Sequence, residues 1–379
     1  MTDSPDRQIK AKYMTGPNIE PLQLLGNENL ADLIDNVFAR SGFNARRLAE
    51  AAQLFRLMLD QPTTVALTLA GAMTPIGMSG PIIDLIERGF IDFIISTGAN
   101  LYHDLHRPFD MPMVQGYEHA DDNELADTGI ARIYDVFIED DETLMATDRV
   151  ILDAVKQLDP DQPVSTAVLH HALGQAVTRA AQHPEKSLLA AAAKYDVPVF
   201  TSSPGDSSIG MNMILPHFFD RPLRLDPIGD IIEATAIVRA ADQNGAVEIG
   251  GGSPKNFYLQ TQPTLHQILL DRSKGGHDYV IQLTTDAPHW GGLSGATPSE
   301  ARSWGKIKDA TKNNVVVYSC ASLTFPMLAG YVLARCRARQ PKRLYRRLPG
   351  LVEQLRDSAV ANKELRRQLG ELYPLDEEG

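Results

Sequence analysis

The sequence predicts an α/β fold with a mainly parallel sheet that is covered by helices on both faces. Six short runs are apolar and rich in β-branched residues, as strands buried on both faces are. Helical patterns separate these runs, and the order strand, helix, strand is typical of a parallel sheet. Stretches rich in Gly, Ser, Thr and Pro follow the first five runs, which places loops at the strand ends.

The predicted elements follow one another along the chain, with a helical segment at each end. The predicted strands cover residues 63–71, 92–97, 197–202, 245–251, 278–285 and 314–320. Before them, ENLADLIDNVFARSGFNARRLAEAAQLFRLML predicts two helices that break near Ser41 and Gly42. After them, RCRARQPKRLYRRLPG and VEQLRDSAVANKELRRQLGEL predict a peripheral helical tail. We therefore predict an N-terminal helical segment (1–60) packed on a main α/β domain (61–330), and a C-terminal tail (331–379).

Composition narrows the classes of partner. The 379 residues carry a net charge of −12, which argues against general nucleic-acid binding and suits small cationic ligands such as amines. Cys320 and Cys336 offer neither a disulfide framework nor a metal-ligand spacing. No signal peptide and no membrane-length apolar run is present, so we expect a cytoplasmic protein. The basic tail is interpreted as a solvated connector or subunit contact rather than a site for RNA or an acidic partner.

The loops that follow the predicted strands indicate where a ligand binds. In an open parallel sheet these loops meet at one edge, where Rossmann-like, doubly wound folds bind nucleotides. A complete GxGxxG is absent, and the glycines of GGGSPKN suit a tight turn as well as a phosphate cradle. In GDSSIG, Asp206 can bind ribose hydroxyls or a cation, or it can form an Asx turn or cap a helix.

The segment ATPSEARSWGKIK carries the candidate chemistry. Thr297 as N-cap and Glu300 three residues later form a capping box, so a helix begins near residue 298. Glu300 and Trp304 then share one helical face, and Gly305 ends the helix so that Lys306 points independently. A neutral lysine beside an indole wall can form an imine with a carbonyl or iminium carbon. The alternative is an ordinary surface lysine.

The histidines give a weaker signal. His103 and His106 lie one helical turn apart, but no further convincing ligand accompanies them, so we predict no metal site. His170 and His171 fall in VLHHALG, where a partly buried helix explains them.

From about Gly42 to about Leu328 the chain resembles the deoxyhypusine synthase family. The resemblance lies in GFNARRLAEAA, DFIISTGAN, GIARIYDVFI, PVFTSSPGDSSIG, the glycine triplet, LSGATPSEARSWGKI and ASLTFP. It implies NAD as cofactor, a lysine imine that carries an aminobutyl group from spermidine to an acceptor amine, and a homotetramer with active sites at subunit contacts. The acceptor in that family is a lysine of a translation factor, or putrescine in the homospermidine-forming branch.

The resemblance also implies roles for individual residues. Lys306 matches the imine-forming lysine, Trp304 the indole beside it and Glu300 a polyamine-binding acid. Asp206 matches a cofactor-binding aspartate. The other positions that match the lining of the NAD site are Thr97, Gly98, Gly251, Thr285, Gly291 and Ser294.

Other family positions have changed, and most of them belong to the substrate pocket. Met211 and Leu293 replace two aspartates, Gln282 replaces a tyrosine and Asn256 replaces a histidine. In the same comparison with the family, Tyr102 and His103 replace paired glutamates. Cys320 replaces an acid on the cofactor side of the site.

These replacements bear on the substrate. Each lost carboxylate removes a charge-assisted contact of roughly 1.5–3 kcal/mol. We therefore predict an NAD-dependent transferase that acts on a small amine. The alternatives are homospermidine or deoxyhypusine synthesis with a rearranged pocket, and a non-catalytic NAD-binding homologue.

Overall fold

A computed structural model of the chain describes residues 5–372, so residues 1–4 and 373–379 of the two predicted end segments lie outside the described part. The strands are β1 (Thr63–Leu69), β2 (Phe93–Ser96), β3 (Met113–Gln115), β4 (Ile130–Ile133), β5 (Val136–Glu139), β6 (Val199–Thr201), β7 (Gln243–Ile249), β8 (Tyr279–Thr284) and β9 (Asn314–Tyr318).

The helices occupy both ends of the chain and the connections between strands. The α-helices are α1 (Pro5–Tyr13), α2 (Leu30–Asn36), α3 (Phe43–Asp60), α4 (Ser79–Glu87), α5 (Gly98–His103), α6 (Asp122–Asp127), α7 (Ala146–Val155), α8 (Thr166–Ala180), α9 (Leu188–Tyr195), α10 (Ser208–Met211), α11 (Ile214–Phe218), α12 (Pro227–Ala240), α13 (Gly252–Pro263), α14 (Pro298–Ser303), α15 (Ala321–Arg335), α16 (Leu344–Ala361) and α17 (Lys363–Leu372). Short 3₁₀ turns span Phe38–Arg40, Arg107–Phe109, Pro184–Lys186, Pro288–Trp290 and Leu293–Gly295, and π turns span Asp140–Met145 and Thr264–Ile268.

The central sheet contains all six predicted strands, paired in parallel in the order β6-β2-β1-β7-β8-β9. The chain builds outward from β1 to β6 on one side, and then returns to add β7, β8 and β9 on the other. Counted among these six alone, the order is 3-2-1-4-5-6, which is that of Rossmann-like nucleotide-binding sheets. The direction of winding reverses between β1 and β7, and in sheets of this order such a reversal leaves a crevice beyond the carboxyl ends of the two strands.

The two faces of this sheet are buried in separate hydrophobic clusters. In β1, Val65, Leu67 and Leu69 belong to the first cluster and Ala66 to the second, as the alternation of a strand requires. The first cluster also takes residues from α3, α4 and α15, and the second from α12, α13 and α16. Helical residues therefore contribute to both clusters.

The helical end segments agree with the sequence prediction at the start of the chain and differ from it at the end. The predicted break at Ser41 and Gly42 separates the turn after α2 from α3. The helix α16 is not a peripheral tail, because its leucines at 344, 348, 351 and 355 are buried in the second cluster. The predicted boundary at residue 330 falls inside α15, whereas that at residue 60 coincides with the end of α3.

A small antiparallel sheet, ordered β3-β5-β4, was not predicted as strands from the sequence. Each of its strands is three or four residues long. The two-residue turn between β4 and β5 begins at Tyr134, whose φ of 54° is unusual for a bulky residue. Without the Asn-Gly or Asp-Gly pair that marks most such hairpins, the turn leaves little signal in the sequence. Within residues 5–372, no helix combines the length and apolar character needed to cross a membrane.

Candidate active site at the carboxyl edge of the sheet

The five loops after β1, β2, β6, β7 and β8 converge at one edge of the sheet, as the sequence predicts. The Thr97 hydroxyl donates to the Gly71 carbonyl at 2.6 Å, which joins the first two loops. Ser253 joins the third and fourth loops, since its hydroxyl donates to Ser202 at 2.8 Å. The Gly252 amide donates to the Ser294 hydroxyl at 2.9 Å, which joins the fourth and fifth loops.

The backbone around Lys306 is fixed on both sides. After α14, the Lys306 amide donates to the Ala301 carbonyl at 3.0 Å and the Gly305 amide to Arg302 at 2.9 Å, which together form a Schellman cap. Gly305 has a φ of +70°, and a Cβ there would lie 2.9 Å from Nε2 of His266. The cap therefore requires glycine at this position.

The segment then continues as a parallel bridge. The Lys306 carbonyl accepts from the His277 amide at 2.9 Å, and the next residue, Ile307, bridges to His277. His277 is buried and stacks on Tyr258, with ring centroids 4.0 Å apart. Lys306 is thus anchored to the core through its own main chain, and only its side chain is free to move.

The Lys306 amine is half-buried and faces α13. Its Nζ donates to Oδ1 of Asn256 at 3.1 Å and lies 5.9 Å from the centroid of the Trp304 ring. Burial lowers the pKa of this amine, the nearby charge of Lys255 lowers it further, and Glu300 opposes the change. A lysine with a lowered pKa is more often neutral, and the neutral form is the nucleophile.

Glu300 and Trp304 lie near this amine, but both are exposed in the single chain. The Thr297 hydroxyl accepts from the Glu300 amide at 3.2 Å, so α14 has the predicted N-cap. The Glu300 carboxylate raises the pKa of both Lys306 and Lys255, which places it within electrostatic reach of the two amines. The Trp304 side chain is 64% exposed.

Beneath the site, Lys255 and Gln282 form a buried pair. Nζ of Lys255 donates to Oε1 of Gln282 at 3.1 Å and to the Ala296 carbonyl at 2.6 Å. Nε2 of Gln282 donates to the carbonyls of Gly250 and Ser294 at 2.9 and 2.7 Å. Gln282 is therefore engaged in holding the loops together and is not open to the surface.

The glycine triplet allows two loops to touch. Gly251 is the N-cap of α13, and a Cβ there would lie 2.5 Å from Cα of Ser294. Only glycine permits this approach, so the fifth loop closes over the start of α13.

The remaining cofactor candidates lie on the same loops. Gly98 begins α5 and lies against Ser207 of the third loop. Asp206, Thr285 and Gly291 are exposed on the third and fifth loops.

The remaining pocket candidates are more scattered. Met211 and Leu293 are exposed, at 62% and 51%, on the rim of the site. His103 turns away into a partly buried pair, in which its Nδ1 lies 2.9 Å from Nε2 of His106. Burial lowers the pKa of His103 to about 4 and that of His106 to about 3. No group of three or more metal-ligating side chains occurs in residues 5–372.

A groove of about 340 Å³ opens beside Asn256. Its lining has both polar and apolar surface and comes from the third loop, α12, α13 and the π turn after α13: Ser202, Ile231, Thr235, Ser253, Asn256, Phe257, Gln260, Thr261 and Thr264. The Thr235 hydroxyl is buried and makes no hydrogen bond to the described residues. The groove therefore offers hydrogen-bonding groups to a small polar ligand, next to the amide that holds Lys306.

Sequence reasoning did not select three of the residues that organise this site. Lys255 was visible in GGGSPKN, and Glu248 stood out as a lone acid within the apolar strand GAVEIGG. Asn100 lies on α5, where its side chain bonds the first loop through Met73, Gly71 and neighbouring main-chain groups. In the sequence, Asn100 was visible only as an amide residue in STGANLY.

Comparison with known proteins agrees with the resemblance seen in the sequence. The deoxyhypusine synthase family profile matches residues 32–332. The chain is 44% identical over 353 residues to the "Deoxyhypusine synthase-like protein" of Cyanothece sp., covering 89% of this chain and 87% of that protein. It is 38% identical over 304 residues to the "Probable deoxyhypusine synthase 2" of Methanosarcina acetivorans, covering 80% and 86%.

A solved structure supports the same fold. A protein of Entamoeba histolytica that carries the deoxyhypusine synthase name superposes with a TM-score of 0.58 at 16% identity, over 85% of this chain and 99% of that one. At this identity the likeness concerns the fold alone, whereas the family follows from the sequence matches. The chain belongs to the deoxyhypusine synthase family and is a transferase of that family.

Proposed function

We propose that this chain is an NAD-dependent aminoalkyl transferase, of the aminobutyl type, that acts on a small polyamine or a related amine through an imine on Lys306. The observation that carries the proposal is the state of the Lys306 amine. Its main chain is anchored on both sides, its Nζ is oriented by Asn256, and its pKa is lowered by burial and by Lys255. These are the requirements for a lysine nucleophile.

In the proposed transfer, Lys306 bonds covalently to the transferred carbon and is then released. Neutral Lys306 adds to the imine carbon of the oxidised donor, the bond from that carbon to the leaving diamine breaks, and the leaving nitrogen takes a proton. The acceptor amine then adds to the same carbon and releases Lys306 in its starting form. Asn256 can hold the amine for both additions, because its carbonyl oxygen accepts one N–H and leaves the nitrogen lone pair available.

We propose that NAD binds in the crevice between β1 and β7. This crevice lies at the reversal of strand order, it is lined by glycines and hydroxyls, and the main chain of the glycine triplet approaches the fifth loop directly. We propose that Thr97, Gly98, Asp206, Gly251 and Ser294 hold the cofactor, with Thr285 and Gly291 at the mouth. When bound, NAD supplies oxidation of the carbon beside the donor nitrogen and reduction of the final imine.

The substrate pocket is proposed at Glu300, Trp304 and the groove beside Asn256. Glu300 supplies a negative charge and Trp304 an aromatic face, and both bind ammonium groups. Met211 and Leu293 leave the rim apolar at positions where the family has carboxylates, which favours an amine with fewer or differently spaced charges than spermidine. His103, which is paired with His106, is proposed to remain outside this pocket.

We further propose a cytoplasmic homotetramer with doubly wound subunits. Apolar side chains on the rim of the site support a subunit contact there, since Met211, Leu293 and Trp304 are each more than half exposed in one chain. A neighbouring subunit would cover them and exclude water from the Lys306 amine.

The test is a panel of amines. Purified protein is incubated with NAD and with putrescine, spermidine, agmatine or related amines, the products are identified by mass spectrometry, and borohydride is added to trap the imine. We expect one amine to label Lys306. We expect Lys306→Ala to lose the label and at least about 10³-fold in turnover. The matched control is Lys308→Ala, two residues along, which removes an exposed lysine paired with Asp278.

The outcomes separate the alternatives. Labelling by spermidine with transfer to putrescine or to a protein lysine would establish the homospermidine or deoxyhypusine alternative. Binding of NAD with no NADH transient from any amine would establish a non-catalytic homologue. Turnover that survives in Lys306→Ala with every amine would show that the lysine mechanism is wrong.

A further inference from the structure

A row of polar side chains crosses the middle of the central sheet beneath the site. Thr68, Glu248 and Gln282 are direct neighbours in the register of β1, β7 and β8. They lie on the face of the second cluster, because side chains two residues apart share a face and Ala246 and Val280 belong to that cluster. This face is covered by α13, the helix that carries Lys255 and Asn256.

Glu248 is the charged member of the row and has no hydrogen-bonding partner among the described residues. Its side chain is fully buried, and neither carboxylate oxygen bonds any group in residues 5–372. Burial raises the pKa of Glu248 to about 7, and the charge of Lys255 opposes that rise. A buried carboxylate without hydrogen bonds is costly unless a positive charge compensates it, so Lys255 is its electrostatic partner.

Lys255 links this carboxylate to the reactive amine. Its Nζ is bonded to Gln282, the neighbour of Glu248 in the row. The next residue on α13, Asn256, holds Nζ of Lys306. The electrostatic effects follow the order Glu248, Lys255, Lys306. Glu248 raises the pKa of Lys255, and the charge of Lys255 lowers the pKa of Lys306.

We propose that Glu248 is a positioning residue for the reaction: its buried carboxylate favours the ammonium form of Lys255, and that ammonium favours the neutral form of the Lys306 amine. The inference rests on the proposed function, in which Lys306 is the nucleophile. Glu248 itself touches neither Lys306 nor the open groove.

Other titratable groups face the same amines. Glu300 from α14 and Asp286 from the loop after β8 raise the pKa of Lys255, and Glu300 also acts on Lys306. On the far side, Tyr258 and His277 are buried and stacked. His266 lies against Gly305, and Asp278 pairs with Lys308. Like Asp286, Glu248 acts on Lys255 and not directly on Lys306, but Glu248 is fully buried whereas Asp286 is partly exposed.

Because the effect of Glu248 passes through Lys255, the direction in which it changes the pKa of Lys306 is defined. Loss of the Glu248 charge lets Lys255 become neutral, so that Lys306 loses its cationic neighbour and the pKa of Lys306 rises. If Glu248 acted on Lys306 directly, loss of its negative charge would lower the pKa of Lys306 instead. A role in packing alone would leave that pKa unchanged.

The test measures the Lys306 amine without substrate or cofactor. The full-length protein is acetylated with trace acetic anhydride between pH 6 and pH 11, and labelling of the Lys306 peptide is quantified by mass spectrometry against peptides with surface lysines. In Glu248→Gln and Glu248→Met we expect the midpoint of labelling to move to higher pH by about one unit. Lys255→Met should do the same, and the Glu248→Gln/Lys255→Met double variant should move no further than Lys255→Met alone.

The control is Asp230→Asn, which removes another buried carboxylate, with one unpartnered oxygen, on α12. It should leave the Lys306 midpoint unchanged. Folding of each variant is checked by circular dichroism, and the methionine variant leaves no buried polar group if the glutamine variant fails to fold. An unchanged or lowered midpoint, or additive shifts in the double variant, would overturn the role of Glu248. Failure to trap an amine on Lys306 would instead overturn the proposed function, because the labelling midpoint does not depend on turnover.

Discussion

The two edges of the central sheet differ in the partners of their buried carboxylates. At the carboxyl edge, Lys306 and Lys255 have lowered pKa values, and the Glu248 carboxylate has no hydrogen-bonding partner among the described residues. At the amino edge, Asp92 precedes β2 and Asp196 precedes β6, and each carboxylate is paired with two basic side chains.

The paired bases come from the segment between α15 and the first turn of α16. Arg339 and Lys342 lie 3.6 and 3.9 Å from Oδ2 of Asp92, and Arg343 lies 2.8 Å from Oδ2 of Asp196. In these contacts the basic stretch pairs with acids of the same chain and not with an external partner. At the amino edge Asp92 has two cations at 3.6 and 3.9 Å, although burial still raises the pKa of its carboxyl. At the carboxyl edge the charge of Lys255 opposes the burial of Glu248.

The largest effect is expected at the amino edge. Arg339→Met/Lys342→Met leaves Asp92 buried without its cations, so the free energy of unfolding should fall by about 3–5 kcal/mol in urea titrations. Arg343→Met/Arg346→Met removes more exposed partners, and should cost only about 1 kcal/mol. Adding Asp92→Asn to the first double variant should recover most of the loss. Equal losses in the free energy of unfolding from the two double variants would contradict the expectation that the cations of Asp92 contribute more than those of Asp196.

The next effect is a pH dependence at the carboxyl edge. The pKa of Glu248 is raised from 4.5 to about 7 in the folded chain. The folded state therefore holds a proton that the unfolded state has lost between these values, and the stability contributed by that proton disappears as pH rises through 7. Relative to Glu248→Gln, wild-type protein should lose up to about 3 kcal/mol between pH 4.5 and pH 8. Urea titrations of both proteins at each pH measure this, and parallel curves would refute it.

A smaller effect is expected from the cap before Lys306. Gly305→Ala places a methyl group against His266 and displaces the lysine, so we expect turnover to fall about 100-fold. Gly275→Ala is the control, because Gly275 has a similar φ of +69° with open space around it. Both variants should lose about 1 kcal/mol of stability through the strained backbone, but only the first should lose turnover. Equal turnover in the two would show that the cap does not position Lys306.

The smallest effect is expected where the fifth loop meets α13. Ser294→Ala removes the acceptor of the Gly252 amide and should raise the Kd for NAD severalfold, equivalent to about 1 kcal/mol. Isothermal titration calorimetry measures this, with Ser41→Ala as a control whose hydroxyl bonds the Phe38 carbonyl. An unchanged Kd in Ser294→Ala would remove Ser294 from the cofactor site.

Much of the fold was predictable because its signals are local. The six parallel strands are continuous apolar runs, and the N-cap at Thr297 and the end of the helix at Gly305 follow from a few adjacent residues. The convergence of the loops also follows from local signals, since parallel strands all end at the same edge. These features need no knowledge of which strands are neighbours.

Other features depend on which strands become neighbours, and the sequence does not show this. Glu248 and Gln282 become adjacent only through the register of β7 and β8, and Asp92 meets Lys342 across 250 positions of sequence. The burial of α16 had a local signal in its regularly spaced leucines, which the surrounding arginines obscured. Side-chain charge states at the site are further removed still, because they depend on all of these contacts together.

The clamp on Asp92 has a consequence for how the chain is made. During synthesis β1 and β2 leave the ribosome long before Arg339 and Lys342, so the first strands have a buried acid without its counter-charges. The amino edge can close only after the segment between α15 and α16 has been translated. Early strands should therefore stay exchangeable and accessible to chaperones until this segment arrives.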